Sequence, residues 1–110
     1  MRAMKLELNS ISVIDIDSSS VNAELKAMQQ AVGGHIETVR LKDGGIMIVD
    51  EEGLLKQYPR NDLASIISGR HIYGTALIVG VDGEEFDDVP QQYLPLLGLG
   101  NEKGNIVCSK

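Results

Sequence analysis

The sequence has few aromatic residues and a single cysteine. Its 110 residues include no tryptophan, one phenylalanine and three tyrosines, so leucine, isoleucine and valine must form the core. Cys108 has no second cysteine, which excludes an intrachain disulfide and favours a reducing compartment. No run of 18 apolar residues occurs, and Glu7, Asn9 and Ser10 interrupt the N-terminal segment before a signal-peptide core could form. We therefore expect a cytoplasmic protein that does not span a membrane.

Basic residues are also scarce, with ten against sixteen acidic ones and a net charge of −6. This balance disfavours non-specific binding to nucleic acids or to anionic membranes, since both need a basic field. The length fits one domain with its own hydrophobic core. We assign residues 1–97 to a single α+β domain and residues 98–110 to a polar, mobile C-terminal tail, in which Ile106-Val107 is the only indication of a strand.

One amphipathic helix is predicted over residues 21–32. The apolar residues of this segment follow a 3.6-residue repeat, at Val21, Leu25, Met28 and Val32. Ser20 can cap the helix start, and Gly33 can end it by adopting a left-handed conformation. The pattern places Leu25 and Met28 at the centre of the buried stripe.

The remaining pattern predicts a small antiparallel or mixed β-sheet with a second helix over residues 62–68. Residues 4–16 form either one bent strand or a hairpin that turns at Asn9-Ser10. Asp43-Gly44 is a strong hairpin signal between strands 35–41 and 46–49, and residues 71–81 contain another buried strand. Asn61 is positioned to cap the second helix, whose inner side would carry Leu63, Ile66 and Ile67. We therefore predict an α+β fold.

Four segments in a fixed order carry a family resemblance. They are Met28-Gln29-x-x-Val32-Gly33-Gly34-x-Ile36-Glu37, Val49-Asp50-Glu51-Glu52-Gly53-Leu54, Pro59-x-Asn61-x-x-Ala64 and Ile72-x-Gly74-x-Ala76-x-Ile78-Val79-Gly80. Together they resemble a domain-of-unknown-function family of about one hundred residues that is encoded by phages, plasmids and other bacterial mobile elements. The resemblance implies a small α+β accessory protein without an assigned activity. The family often has Asn where Asp50 stands.

No set of residues predicts catalysis. His35 and Glu37 point to the same face of a strand, but a metal site would need further ligands, and only His71 and Cys108 are candidates. The carboxylates of Asp50-Glu51-Glu52 lack the alternating spacing of a calcium loop and are better explained as a solvated turn. We predict no catalytic residue, no metal and no cofactor.

Two binding sites remain as hypotheses. Tyr58, Arg60 and Asn61 open the second helix, where free amides, a guanidinium and an aromatic face could bind a small anionic ligand. The acidic segment, residues 82–88, is either a solubilising loop or a docking surface for a basic host protein; its carboxylates are Asp82, Glu84, Glu85, Asp87 and Asp88.

The function that these observations favour is non-catalytic binding. We expect an accessory protein of a phage or mobile element that counteracts a host system by binding a host protein. The alternative is a small-ligand binder that sequesters a nucleotide-like signal.

Overall fold

Six strands and three α-helices make up the part of the chain that the computed structural model describes, residues 1–100. The strands are β1 (Arg2–Leu6), β2 (Ile11–Asp15), β3 (Ile36–Arg40), β4 (Ile46–Asp50), β5 (Ala76–Asp82) and β6 (Glu85–Asp87). The helices are α1 (Val21–Val32), α2 (Asp62–Ser68) and α3 (Leu97–Gly100), and a 3-10 helix covers Gln91–Leu96. Of the predicted tail 98–110, only the first three residues are described; Cys108 and the Ile106-Val107 strand lie outside that range.

The sheet is antiparallel throughout, in the order β2-β1-β5-β4-β3, with β6 paired to the end of β5. This confirms the α+β prediction and selects the antiparallel alternative. Of the two interpretations of residues 4–16, the hairpin is correct, because β1 and β2 pair from Arg2 opposite Asp15 to Leu6 opposite Ile11. The hairpin at Asp43-Gly44 is also present, between β3 and β4.

Helices cover both faces of the sheet, which explains why its inner strands are continuously apolar. In β4, Met47 and Val49 face α2 and the 3-10 helix, whereas Ile46 and Ile48 face α1. In β5, residues 76 and 78 join the first of these cores and residues 77 and 79 the second. A strand buried on both sides needs apolar residues at every position, so neither strand shows a two-residue alternation.

Helix α1 begins and ends where its sequence predicts, but a different part of it is buried. The Ser20 hydroxyl accepts a hydrogen bond from the Ala23 amide, and Gly33 ends the helix with φ +100°. Met28 and Val32 are buried against the sheet, whereas Leu25 is 38% and Val21 83% exposed. Only the C-terminal half of α1 contacts the core, so the prediction that Leu25 is central was wrong.

Helix α2 is also capped as predicted, by Asn61, and it ends at Gly69. Its buried side is formed by Ala64 and Ser65, and Ile66 is 76% exposed, which corrects the prediction that Ile66 faces inward. The Ser65 hydroxyl can be buried without a large cost, because it accepts a hydrogen bond from the Ile72 amide at 2.9 Å. The polar Ser65 therefore occupies the buried position that the apolar pattern assigns to its neighbour Ile66.

The acidic segment is a hairpin and not an irregular loop. Strand β5 continues to Asp82, the chain turns at Gly83-Glu84, and β6 returns alongside it. Val81 pairs with Phe86, whose half-buried ring packs against the core under α1. This aromatic contact and the backbone pairing hold the acidic segment in a regular conformation.

Candidate functional site

The four sequence segments of the family resemblance meet at one end of the sheet. Asp50 ends β4, Gly33 and Gly34 follow α1, and Gly74 precedes β5. The connection 51–60 crosses between them and reaches α2. These segments are distant in sequence, so their meeting is a property of the fold.

An ion pair between Asp50 and Lys56 closes this end of the sheet. Lys56 Nζ lies 2.8 Å from Asp50 Oδ2 and also donates to the Gly33 carbonyl at 3.0 Å. The other carboxylate oxygen of Asp50 accepts from the Glu52 amide at 2.8 Å. We call this arrangement the Asp50–Lys56 staple, because it fastens the connection 51–60 to the end of α1.

The two glycines after α1 allow the staple to form. A Cβ atom at Gly34 would lie 2.9 Å from Asp50 Oδ2, and one at Gly33 would lie 2.8 Å from the Tyr58 hydroxyl. The Lys56 ammonium also lies 5.8 Å from the centre of the Tyr58 ring, within the range of a cation–π contact. A larger residue at Gly34 would displace the Asp50 side chain, and one at Gly33 would displace the Tyr58 side chain.

The pKa of the Asp50 carboxyl is set by opposing effects. Burial raises it, since the side chain is only 1% exposed, but hydrogen bonds from Lys56, the Glu52 amide and Tyr58, with the Lys56 charge, lower the pKa below 3.8. The pKa of Lys56 is raised above 10.5, mainly by its hydrogen bond to Asp50. Both groups are therefore charged near neutral pH.

The staple should make stability depend on acidity. Because the pKa of Asp50 is lower in the folded than in the unfolded state, its contribution is present above about pH 4 and is lost as the pH falls through the folded value. We expect Asp50→Asn to reduce the loss of stability on acidification. The measurement is urea denaturation at several pH values from about 6 to about 2.

The matched control is Glu51→Gln, which removes an exposed carboxylate from the same turn and leaves the staple intact. If wild type and Asp50→Asn lose stability in parallel over this range, the staple does not contribute as described.

The three residues predicted to bind an anion do not converge on one site. Asn61 is 2% exposed, and its amide donates to the carbonyls of Leu6 and Gly74 while its oxygen accepts from Ala64. All its hydrogen-bonding groups are thus engaged inside the protein, which leaves none for a ligand. The Tyr58 ring packs against Gly74.

Arg60 is the member of the predicted set whose side chain remains accessible. Its guanidinium is about half exposed and lies 3.9 Å from the Asp62 carboxylate, also exposed. A pair in this setting contributes little energy. Anion binding by Arg60 stays a prediction.

A cleft of about 280 Å³ lies beside the staple, and we call it the Glu37 cleft. Its wall includes Glu37, Arg70, His71 and Tyr73. The Arg70 guanidinium lies 3.4 Å from the Glu37 carboxylate, so Glu37 pairs with Arg70 and not with His35. The sequence pattern does not reveal Arg70 and Tyr73, because no spacing signal connects them to β3. Within residues 1–100, no three His, Cys, Asp or Glu side chains lie close enough together to hold a metal ion.

Three of the five carboxylates of the acidic segment share one face of its hairpin. Asp82 lies directly opposite Glu85, and Gly80 lies opposite Asp87, so these three acidic side chains point the same way. The Asp88 carboxylate accepts a hydrogen bond from the Arg2 amide at 2.8 Å, which attaches the end of the segment to β1. All five acidic side chains are exposed.

These carboxylates have no ion-pair partner among the residues that the structure describes. Like charges directly opposite each other on paired strands are destabilising. The pairing of Asp82 with Glu85 therefore adds an unfavourable contact to the isolated protein. The segment is held in shape by backbone pairing and by Phe86 despite this repulsion.

Comparison with known proteins identifies the family but gives no activity. The family model for a domain of unknown function, DUF3846, matches residues 1–97. The chain belongs to this family. A search of the curated proteins gives no match for this DUF3846 member.

A solved structure with a similar fold is the crystal structure of the small RNA methyltransferase HEN1, with a TM-score of 0.60 at 18% identity. The match covers 90% of the present chain and 16% of that one, so the DUF3846 chain spans about one sixth of the larger protein. At this identity the likeness concerns the fold alone. Within the described residues, no helix has the length and apolar character needed to cross a membrane.

Proposed function

We propose that this protein is a non-catalytic binding protein whose acidic segment docks on a basic surface of a host protein. In this proposal it acts in the bacterial cytoplasm as an accessory protein of a phage or other mobile element, and binding counteracts a host system. The observation that carries the proposal is the set of five exposed carboxylates, three of them on one face of the hairpin, that have no cationic partner among the described residues.

The distribution of charge supports this surface as the docking site. Residues 82–88 contain five of the sixteen acidic residues and none of the ten basic ones. They therefore contribute −5 of a total net charge of −6. Such concentration creates a local field that attracts a basic partner and accelerates its diffusional encounter.

The energetics of the hairpin support the same proposal. A solubilising loop gains nothing from placing Asp82 opposite Glu85, since dispersed charges give the same solubility without close repulsion. A basic partner would relieve this repulsion on binding and would find three of the carboxylates already arranged on one face. Preorganisation of this kind lowers the entropic cost of association.

The non-catalytic part of the proposal is supported by the state of the ionisable groups at the sheet end. The Asp50 carboxylate is buried and engaged by Lys56, and Glu37 is paired with Arg70. Neither group is placed as a base beside a nucleophile, which general acid–base catalysis would need. The mobile-element context comes from the family resemblance.

The test is the association rate of a partner isolated by pulldown from host lysate and then purified. We expect a variant with Asn or Gln at all five acidic positions to associate about tenfold or more slowly at low salt, because long-range steering is lost. The wild-type rate should fall steeply as salt rises, whereas the variant should show a shallow dependence. Stopped-flow measurements across a salt series give both quantities.

A control variant carries the same number of neutralised carboxylates elsewhere, at Glu7, Asp17, Glu51, Glu52 and Asp62, all of which are exposed. Its net charge matches that of the test variant, so any difference between them reports the position of the charges. Equal association rates and equal salt slopes for the two variants would contradict docking through the acidic segment.

A further inference from the structure

The Tyr93 hydroxyl is a buried polar group without a partner. Tyr93 is 6% exposed, and among the described residues its hydroxyl is the one buried side-chain oxygen or nitrogen that makes no hydrogen bond. Leaving such a group unsatisfied costs about 1–3 kcal/mol. A phenylalanine would fill the same volume without this cost, so the hydroxyl has no evident role in stability.

A cavity of about 570 Å³ lies against this side chain, and we call it the Tyr93 cavity. The described part of its wall comes from the β3–β4 turn, α2 and the 3-10 helix: Asp43, Ile67, Gln92, Tyr93 and Leu96. The volume falls within the roughly 300–1,000 Å³ typical of small-molecule sites. The β3–β4 turn lies at the same end of the sheet as the acidic segment, because Ile46 pairs with Val79. The described wall of the cavity contains none of the five carboxylates of that segment, so the inference uses other side chains than the function proposed above.

The ring of Tyr93 is fixed by the turn that it covers. A Cβ atom at Gly45 would lie 2.8 Å from a ring carbon of Tyr93 and 3.1 Å from its hydroxyl oxygen. The glycine therefore allows the ring to rest directly on the backbone next to Asp43. This contact places the Tyr93 hydroxyl at the turn that contains Asp43.

The polar groups of the wall are rich in acceptors. Asp43 offers a carboxylate, and Gln92 uses its amide nitrogen to donate to the Asp43 carbonyl, which leaves the Gln92 side-chain oxygen free to accept. The Tyr93 hydroxyl can accept or donate. Ile67 and Leu96 supply apolar surface beside these groups.

From these features we infer that the Tyr93 cavity binds a small organic amine. The ammonium group would be held by the Asp43 carboxylate and the Tyr93 hydroxyl, and the apolar body of the ligand would rest on Ile67 and Leu96. An anionic ligand is disfavoured, because the wall presents a carboxylate and the chain carries a net charge of −6. The cavity is open to solvent, but the Tyr93 hydroxyl itself is covered, so the ammonium group reaches it only when a neighbouring side chain moves. In our inference that side chain is the exposed Gln92, whose amide makes one hydrogen bond.

The experiment uses the full chain labelled with ¹⁵N and three probes that share a phenyl ring: phenethylamine, the neutral 2-phenylethanol and the anionic phenylacetate. We expect phenethylamine to shift the amide resonances of Gly45, Ile67 and Gln92 in a saturable manner. Phenylacetate should leave them unchanged, and 2-phenylethanol should bind more weakly than the amine. Absence of saturable shifts with phenethylamine at millimolar concentration, or equal shifts with phenylacetate, would overturn the inference.

Two variants locate the contacts. Asp43→Asn keeps a favourable Asn-Gly turn and should weaken phenethylamine binding by about tenfold or more, the scale of one charged hydrogen bond. Asp62→Asn, which changes an exposed carboxylate outside the cavity wall, should bind as wild type does. A loss of affinity that is equal in both variants would show a general charge effect and would overturn the assigned contact.

Tyr93→Phe separates a binding role from a structural one. Since the hydroxyl is unsatisfied in the free protein, its removal should leave the urea midpoint unchanged or raise it, while phenethylamine affinity falls by about threefold or more. A lower urea midpoint would show that the hydroxyl stabilises the fold. Unaltered phenethylamine affinity would show that the hydroxyl does not contact the ligand. Either result would overturn its assignment as a ligand contact.

Discussion

Replacing Asn61 with alanine is expected to lower the free energy of unfolding by about 3–5 kcal/mol. The change removes the cap of α2 and leaves the buried carbonyls of Leu6 and Gly74 without their donor. A loss of this size is a large share of the stability of a domain this small. Urea denaturation followed by circular dichroism measures it.

Asn61→Asp tests which half of the side chain matters. Aspartate keeps the oxygen that caps α2 but replaces the amide donor with a charge facing two carbonyls. We expect it to destabilise the protein at neutral pH at least as much as alanine does. The neighbouring Arg60→Ala, at an exposed position, should change stability by no more than about 0.5 kcal/mol. If Asn61→Asp is as stable as wild type, the cap of α2 alone accounts for the contribution of Asn61 to stability, and its two bonds to carbonyls contribute nothing.

Replacing Gly74 with alanine should cost about 2–5 kcal/mol through two separable effects. The residue has φ +90°, a conformation that a side chain disfavours. A Cβ atom there would also lie 2.5 Å from a ring carbon of Tyr58. The free energy of unfolding again gives the measure.

Two further variants separate these effects. Gly83 also has positive φ, but a Cβ atom there would have no neighbouring atom within 4 Å, so Gly83→Ala should report backbone strain alone. In a Tyr58→Ala background the steric conflict at Gly74 is gone, and the additional cost of Gly74→Ala should fall to about that of Gly83→Ala. If Gly74→Ala lowers the free energy of unfolding equally in the wild-type and Tyr58→Ala backgrounds, the Tyr58 ring moves aside without a measurable cost.

Local signals in the sequence were sufficient for the ends of helices and for the hairpins. Ser20 and Gly33 bound α1, and Asn61 and Gly69 bound α2, because capping depends on residues within a few positions of the helix end. The turn at Asp43-Gly44 is local in the same sense. These features need no knowledge of the tertiary structure.

Burial and the site could be predicted only in part, because they depend on distant residues. Leu25 fits the helical repeat, yet the sheet reaches only the Met28 and Val32 end of α1. The Asp50–Lys56 staple depends on a backbone carbonyl at Gly33, and the pairing of Glu37 with Arg70 joins residues 33 positions apart. Asn61 was recognised as a cap, but its bonds to Leu6 and Gly74 make it a structural residue first.

The position of β5 between two hairpins determines the order in which the fold can be completed. The β1–β2 and β3–β4 hairpins are each made from nearby residues, and they become parts of one sheet only when β5 enters between β1 and β4. Closing such long loops is slower than forming a hairpin. During synthesis on the ribosome, the edges of β1 and β4 that later pair with β5 therefore stay unpaired until about four fifths of the described chain has emerged. Of the five strands in the order β2-β1-β5-β4-β3, the last to arrive is the one that joins the two hairpins.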